Sequence, residues 1–168
     1  MVNLPENSIH QSQSYERANN TVVIDSLNNM KRFAKRLYNK TDLYFKTNDE
    51  EIKLDSLDSI SSTYNNIVQN YMNLIDVIQI YNQEAPCTSL RSYIRFYDSL
   101  GFPTSTDEKE MLYYFISRNE LVHDYMDYEY LADDTAKKID NYGQGLDQII
   151  NHLEKFFNEN NLLDKTIK

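Results

Sequence analysis

Residues 60–81, ISSTYNNIVQNYMNLIDVIQIY, decide the fold class. The apolar positions Ile60, Tyr64, Ile67, Tyr71, Leu74, Ile78 and Tyr81 are spaced alternately by four and three. That period keeps one face of an α-helix turned toward a neighbour at a shallow angle. The same spacing joins Val23, Leu27, Met30, Ala34 and Leu37, and again Ile139, Tyr142, Leu146, Ile149, Leu153 and Phe156. A further amphipathic run extends from about Asp107 to Asp127, with Thr106 and Asp107 as its N-terminal cap. Before it lies SLRSYIRFYDSLGFP (89–103), a shorter helix ended by Gly101 and Pro103. The expected fold is all-α: an up-and-down antiparallel bundle of four main helices plus one short helix. Tyrosines on the repeating faces read as core.

The chain has 168 residues, enough for one domain with a substantial core, and its 3 Gly and 3 Pro suit a helical protein. A flexible polar segment is expected over 1–20, the bundle over 21–160 and a short tail over 161–168. With Cys87 as the single cysteine, no internal disulfide or zinc cluster can form. The opening MVNLPENSIHQSQSYERANN lacks a basic segment followed by an apolar run, and no apolar stretch approaches membrane-spanning length. A soluble, cytoplasmic protein without membrane contact is the expectation. The net charge of −9 argues against a broad nucleic-acid-binding face. One basic island interrupts it: in KRFAKRLYNK (31–40), Lys31 with Lys35 and Arg32 with Arg36 form rows one helical turn apart. These residues read either as a solvated helix face or as a dock for RNA phosphates.

The unusual stretch is RNELVHDY (118–125). On a helical projection with Arg118 at zero, Met111, Phe115 and Val122 fall at roughly 20–60°, and Tyr114, Leu121 and Tyr125 at roughly 300–340°. Lys109, Glu120, Asp124 and Asp127 gather on the opposite side, at roughly 180–240°. Arg118 thus occupies the centre of the apolar stripe, where a guanidinium needs a carboxylate, a phosphate or a wet cleft. A buried ion pair, with Asp76 as a possible partner, is one reading. A site is the other: Tyr125 shares the arginine's stripe, and Asn119 and His123 form an i,i+4 pair beside it. The four side chains do not converge within one straight helix, which suggests a site at a homodimer interface. Asp124 reads as solvated, and His10 and His152 as surface or structural.

Set late in a helical bundle and followed by one more long helix, RNELVHDY resembles the R-x4-H-x-Y signature of HEPN-domain toxins, the ribonuclease partners of minimal nucleotidyltransferase antitoxins. The order of helices, SLRSYIRFYDSLGF before the motif and LDQIINHLEKFF after it, extends the resemblance over about residues 21–158. It implies a dimer with two motif helices facing each other and a metal-independent RNA endonuclease site between them, with no cofactor. Arg118 and His123 would be the catalytic pair and Asn119 the polar residue after the arginine. Tyr125 would be the tyrosine to which the antitoxin attaches AMP from ATP. The polar N-terminus and the acidic NDEEIKLDS loop (48–56) depart from the compact members of that family. A non-catalytic HEPN module that partners a nucleotidyltransferase, or a structural dimeric adaptor, are the alternatives.

Histidine and arginine suit this chemistry in their own right. RNA carries its nucleophile, the 2′-hydroxyl, so such a site needs a base, an acid and positive charge for the phosphorane. Histidine titrates near neutrality and serves the first two roles. Arginine stays protonated and serves the third. No Gly-rich phosphate loop, nucleophilic serine elbow or metal-binding histidine pair competes with the octapeptide.

Overall fold

The computed structural model describes residues 6–123 and 127–163, with the backbone alone for 6–20, 121 and 123. The fold is all-helical, as expected, with α1 Glu6–Lys46, α2 Glu50–Asn82, α3 Leu90–Ser99, α4 Thr106–His123, α5 Tyr128–Tyr142 and α6 Gln144–Glu159. Helix α1 begins at Glu6, so it takes in most of the segment 1–20 that the sequence sets apart. None of the described helices is long and apolar enough to cross a membrane.

A three-residue link folds α2 back along α1, and the two pack as a long hairpin. Asp49 starts α2, its side chain accepting from the backbone N–H of Glu51 at 2.9 Å and of Ile52 at 3.2 Å. Helices α4, α5 and α6 close over the hairpin, and the short α3 bridges α2 and α4. The four-three rows supply the core: Val23, Leu27, Met30, Ala34 and Leu37 of α1 meet Ile60, Tyr64, Ile67, Tyr71, Leu74 and Ile78 of α2, all buried. Tyr81 leaves the row half-exposed, its ring packed edge-on to Phe156.

Three boundaries differ from the sequence reading. Asp127, expected at the end of α4, is the N-cap of α5, its side chain accepting from the Glu129 N–H at 3.1 Å. The cap of α4 is Ser105, whose Oγ accepts from the Glu108 N–H at 3.2 Å, so Thr106 is already helical. The run from Ile139 to Phe156 is two helices, divided at Gly143. There the Gly143 carbonyl accepts from Leu146 N–H at 3.0 Å and lies 2.8 Å from the Tyr38 hydroxyl. These contacts tighten and bend the turn, a common outcome at glycine. Beyond the bend Phe157 enters the core, whereas Phe156 is only partly buried.

Two glycines carry specific loads. Gly101, at φ +76°, turns the chain after α3 in a conformation that side chains disfavour. Gly145 lets α6 touch the start of α4: a Cβ there would lie 2.3 Å from the Asp107 carbonyl oxygen and 2.9 Å from the Glu108 nitrogen. Both obstacles are backbone and cannot rotate away. Gly145→Ala is expected to destabilise the fold by about 1–3 kcal/mol, as overpacking does, read as a lower midpoint in urea unfolding.

Asp98, in the last turn of α3, gives a pH-dependent case. Its carboxyl is raised above the usual value by burial and then by the charge of Glu108, and it also opposes the helix dipole. A carboxyl raised in the folded state binds its proton more tightly there, so stability falls as pH climbs from the ordinary value through the raised one. Asp98→Asn is therefore expected to raise the thermal midpoint modestly at pH 7. The gain should vanish near pH 3, where Asp98 is protonated in both states.

Candidate functional site

The sequence places Arg118 on the apolar stripe of α4, and its side chain is only 5% exposed. Burial there follows from its neighbours Met111, Tyr114 and Phe115, all in the core. What solvates the guanidinium is not Asp76, whose carboxylate accepts from the Tyr93 hydroxyl at 2.7 Å. Instead Nε donates to Thr135 Oγ1 at 3.0 Å, Nη1 to Asn65 Oδ1 at 2.9 Å and Nη2 to Ser61 Oγ at 2.9 Å. The cation also lies over the Tyr64 ring, 4.5 Å from its centroid. Asp76 fails as a partner for geometric reasons: it lies eleven residues beyond Asn65 on α2, about 16 Å along the axis at 1.5 Å per residue.

The network fixes its own proton positions. Thr135 has one hydroxyl proton, and that proton goes to the Leu131 carbonyl at 2.8 Å. Its oxygen therefore accepts from both Arg118 Nε and Tyr114 Oη, the latter at 3.0 Å. Burial pushes the Tyr64 phenol well above its usual value, with Arg118 pulling the other way, and its hydroxyl is buried without a hydrogen-bond partner. Three of the five guanidinium donors are used. Among the described residues, no carboxylate forms an ion pair with Arg118.

Arg118 lines a cleft of about 300 Å³ between α2, α4 and the start of α5. Asn119 lines it too, exposed and without a hydrogen bond among the described residues. So does Val122, which the projection assigns to the core but which is 50% exposed. His123 is the last residue of α4, one turn beyond Asn119, with its backbone alone described. Tyr125 and Asp124 lie outside the described residues, as does the side chain of His10.

The basic island is split between two faces of α1. Lys31 pairs with Glu154 of α6 at 2.6 Å and, with Lys35, borders a separate cavity of about 400 Å³ between those helices. Arg32 donates to Asn29 at 3.1 Å, and Arg36 donates to Ser59 of α2 at 3.3 Å. None of the four lines the Arg118 cleft.

A second polar cluster escaped the sequence reading. Glu108 is fully buried, with Oε1 accepting from the Tyr97 hydroxyl and lying 3.0 Å from His152 Nδ1. His152 stacks on Phe102 at 5.0 Å and is thus a structural residue. Burial, then the hydrogen bond and charge of Glu108, push the Tyr97 phenol far up. The signal was present: Glu108 projects at roughly 80°, only 20° or so past Phe115 and hence on the edge of the apolar stripe. No group of three or more His, Cys, Asp or Glu among the described residues could hold a metal.

No family model, curated protein or solved structure matches the chain.

A buried cation held by neutral oxygens is more expensive than an apolar side chain of similar volume. Arg118→Met is expected to leave stability equal to or above that of the parent. Arg118→Ala, which opens a cavity that methionine would fill, should lose about 2–4 kcal/mol. Urea unfolding of the two variants side by side measures the difference.

Proposed function

We propose that the chain is a metal-independent endoribonuclease, the toxin half of a toxin–antitoxin pair, acting as a homodimer across the Arg118 cleft. The observation that carries this reading is the guanidinium itself: a permanent positive charge at the edge of a cleft, with two N–H donors left over and no carboxylate to neutralise it among the described residues. Such a group is suited to a phosphate. Asn119 beside it adds a polar side chain free to meet the same ligand.

In the proposed reaction His123 takes the proton of the substrate 2′-hydroxyl. The freed oxygen attacks the adjacent phosphorus, and Arg118 stabilises the charge that builds on the non-bridging oxygens. The bond from phosphorus to the 5′-oxygen breaks, and His123 of the partner subunit gives that oxygen a proton. The products are a 2′,3′-cyclic phosphate and a 5′-hydroxyl end. Tyr125, two residues past the base, would carry the AMP that a nucleotidyltransferase antitoxin transfers from ATP. Its added charge and bulk would close the site to RNA.

One observation favours a second reading. All three guanidinium nitrogens already donate to the protein, and the side chain is 5% exposed. A pin of that kind also suits a non-catalytic HEPN module whose role is to bind a nucleotidyltransferase.

Induced expression of the wild type beside His123→Ala separates the two. The ribonuclease reading expects growth arrest and new RNA ends bearing 5′-hydroxyls, with cleavage falling about 10²–10⁴-fold in the variant. Normal growth and intact RNA from soluble, unmodified wild-type protein would overturn it in favour of the binding module.

A further inference from the structure

The cleft does not end at Arg118. It runs along α2 past Asn65 and Gln69, one turn apart on the same face, and the structure orients both amides. Arg118 has donors only, so Asn65 must turn its oxygen toward it. The Asn65 Nδ2 group is then left with two protons and no partner among the described residues. Gln69 donates through Nε2 to Asn73 Oδ1 at 3.1 Å, which leaves its Oε1 as an acceptor without a donor among the described residues. Both side chains are exposed, so neither loses much while the cleft stands open to water.

The rest of the wall is apolar and aromatic. Val68 and Met72 continue the face between and beyond the amides. The Tyr128 ring, 49% exposed, also borders the cleft, and its hydroxyl reaches the Asp58 carbonyl at 3.4 Å. The volume of about 300 Å³ is at the small end for a ligand site. Four properties of an occupant follow. It has an apolar face, it has an edge with an acceptor beside a donor, it is small, and it is attached to an anion that can approach Arg118. Nucleobases joined to phosphate have all four, and in single-strand recognition their edges are read by hydrogen bonds.

We propose that this part of the cleft is a nucleobase subsite, in which Asn65 Nδ2 donates to an acceptor on the base edge, Gln69 Oε1 accepts from its neighbour, and the apolar wall at Val68 supports the ring. Where the chain cleaves RNA as proposed above, these residues set which base flanks the cut, so this part of the inference rests on that reading. Binding of the base does not. The amide pair is a specificity device separate from the groups that move protons, and a change in it should alter the choice of base more than the rate at the best site.

Two variants and two measurements test it on the full chain. Gln69→Met keeps length and removes the acceptor without touching Arg118. Asn65→Ser removes the Nδ2 donor and places no carboxylate beside Arg118. Cleavage of an RNA pool with every base at the positions flanking the cut is expected to show a preference in the wild type. Each variant should reduce it roughly tenfold, the size of one good base-edge contact, and Asn65→Ser should do so for bases that offer an acceptor there. Titration of the wild type with each 5′-nucleoside monophosphate should move the Asn65 and Gln69 side-chain amide signals in NMR. Unchanged base profiles in both variants, with unmoved amide signals, would overturn the subsite and leave the ribonuclease standing. Nucleotide binding at these amides without any RNA cleavage would uphold the subsite and remove the ribonuclease. Absence of both would remove both.

Discussion

A guanidinium taken out of water must be solvated by whatever surrounds it, and around Arg118 that solvent is assembled from two other helices. Ser61, Asn65 and the Tyr64 ring come from α2, Thr135 from α5, and the arginine itself from α4. None of these oxygens carries a formal charge, so the protein stabilises the cation without cancelling it. The requirement fixes the azimuth of α4 against α2 and the depth at which α5 docks. It also keeps a small cleft open beside the arginine, because an apolar plug there would leave the remaining N–H groups dry.

Rings extend from this point through the core. Tyr64 meets Tyr114 and Phe115 edge-on, Phe115 meets Tyr71, Tyr71 meets Tyr97, and Phe102 carries the contact to His152. The two buried polar clusters, Arg118 with its oxygens and Glu108 with Tyr97 and His152, therefore stand at opposite ends of one aromatic column. Edge-to-face rings with fixed centroids resist sliding more than aliphatic packing does. The column links α2, α3, α4 and α6, with a buried polar cluster at each end.

The sequence revealed helices α1 to α4 and the apolar face shared by α5 and α6, but not the break between those two or how the helices register on one another. Spacings of four and three in residues 60–81 place Tyr64, Ile67, Tyr71 and Leu74 in the core, and the projection of α4 places Arg118 there too. Periodicity within a helix says which face is buried; it does not say what that face meets. Hence Asp76, the nearest carboxylate to hand on α2, looked suitable although it lies three turns from the arginine's level. Ser61, Asn65 and Thr135, with no charge to mark them, went unnoticed. The break at Gly143 was hidden for a related reason: the four-three rhythm continues through it, and the Tyr38 hydroxyl near its carbonyl comes from a residue 105 positions away. The octapeptide 118–125 was legible as an anomaly. The chemistry proposed for it comes from the resemblance to HEPN toxins and from the uncancelled charge of Arg118 beside a cleft.

The origin of the arginine's three acceptors ties the site to the whole assembly. The α1–α2 hairpin closes over a three-residue link, and only the contacts beside that link, such as Lys40 with Asp55 at a separation of 15 residues, are local. The Arg118 bonds to Asn65 and Ser61 span 53 and 57 residues, and the bond to Thr135 requires α5 to have docked as well. The cleft therefore requires α2, α4 and α5 together and dissolves if α5 lifts. A chain in which α5 has not docked lacks the site, so any activity of the cleft is confined to the finished fold.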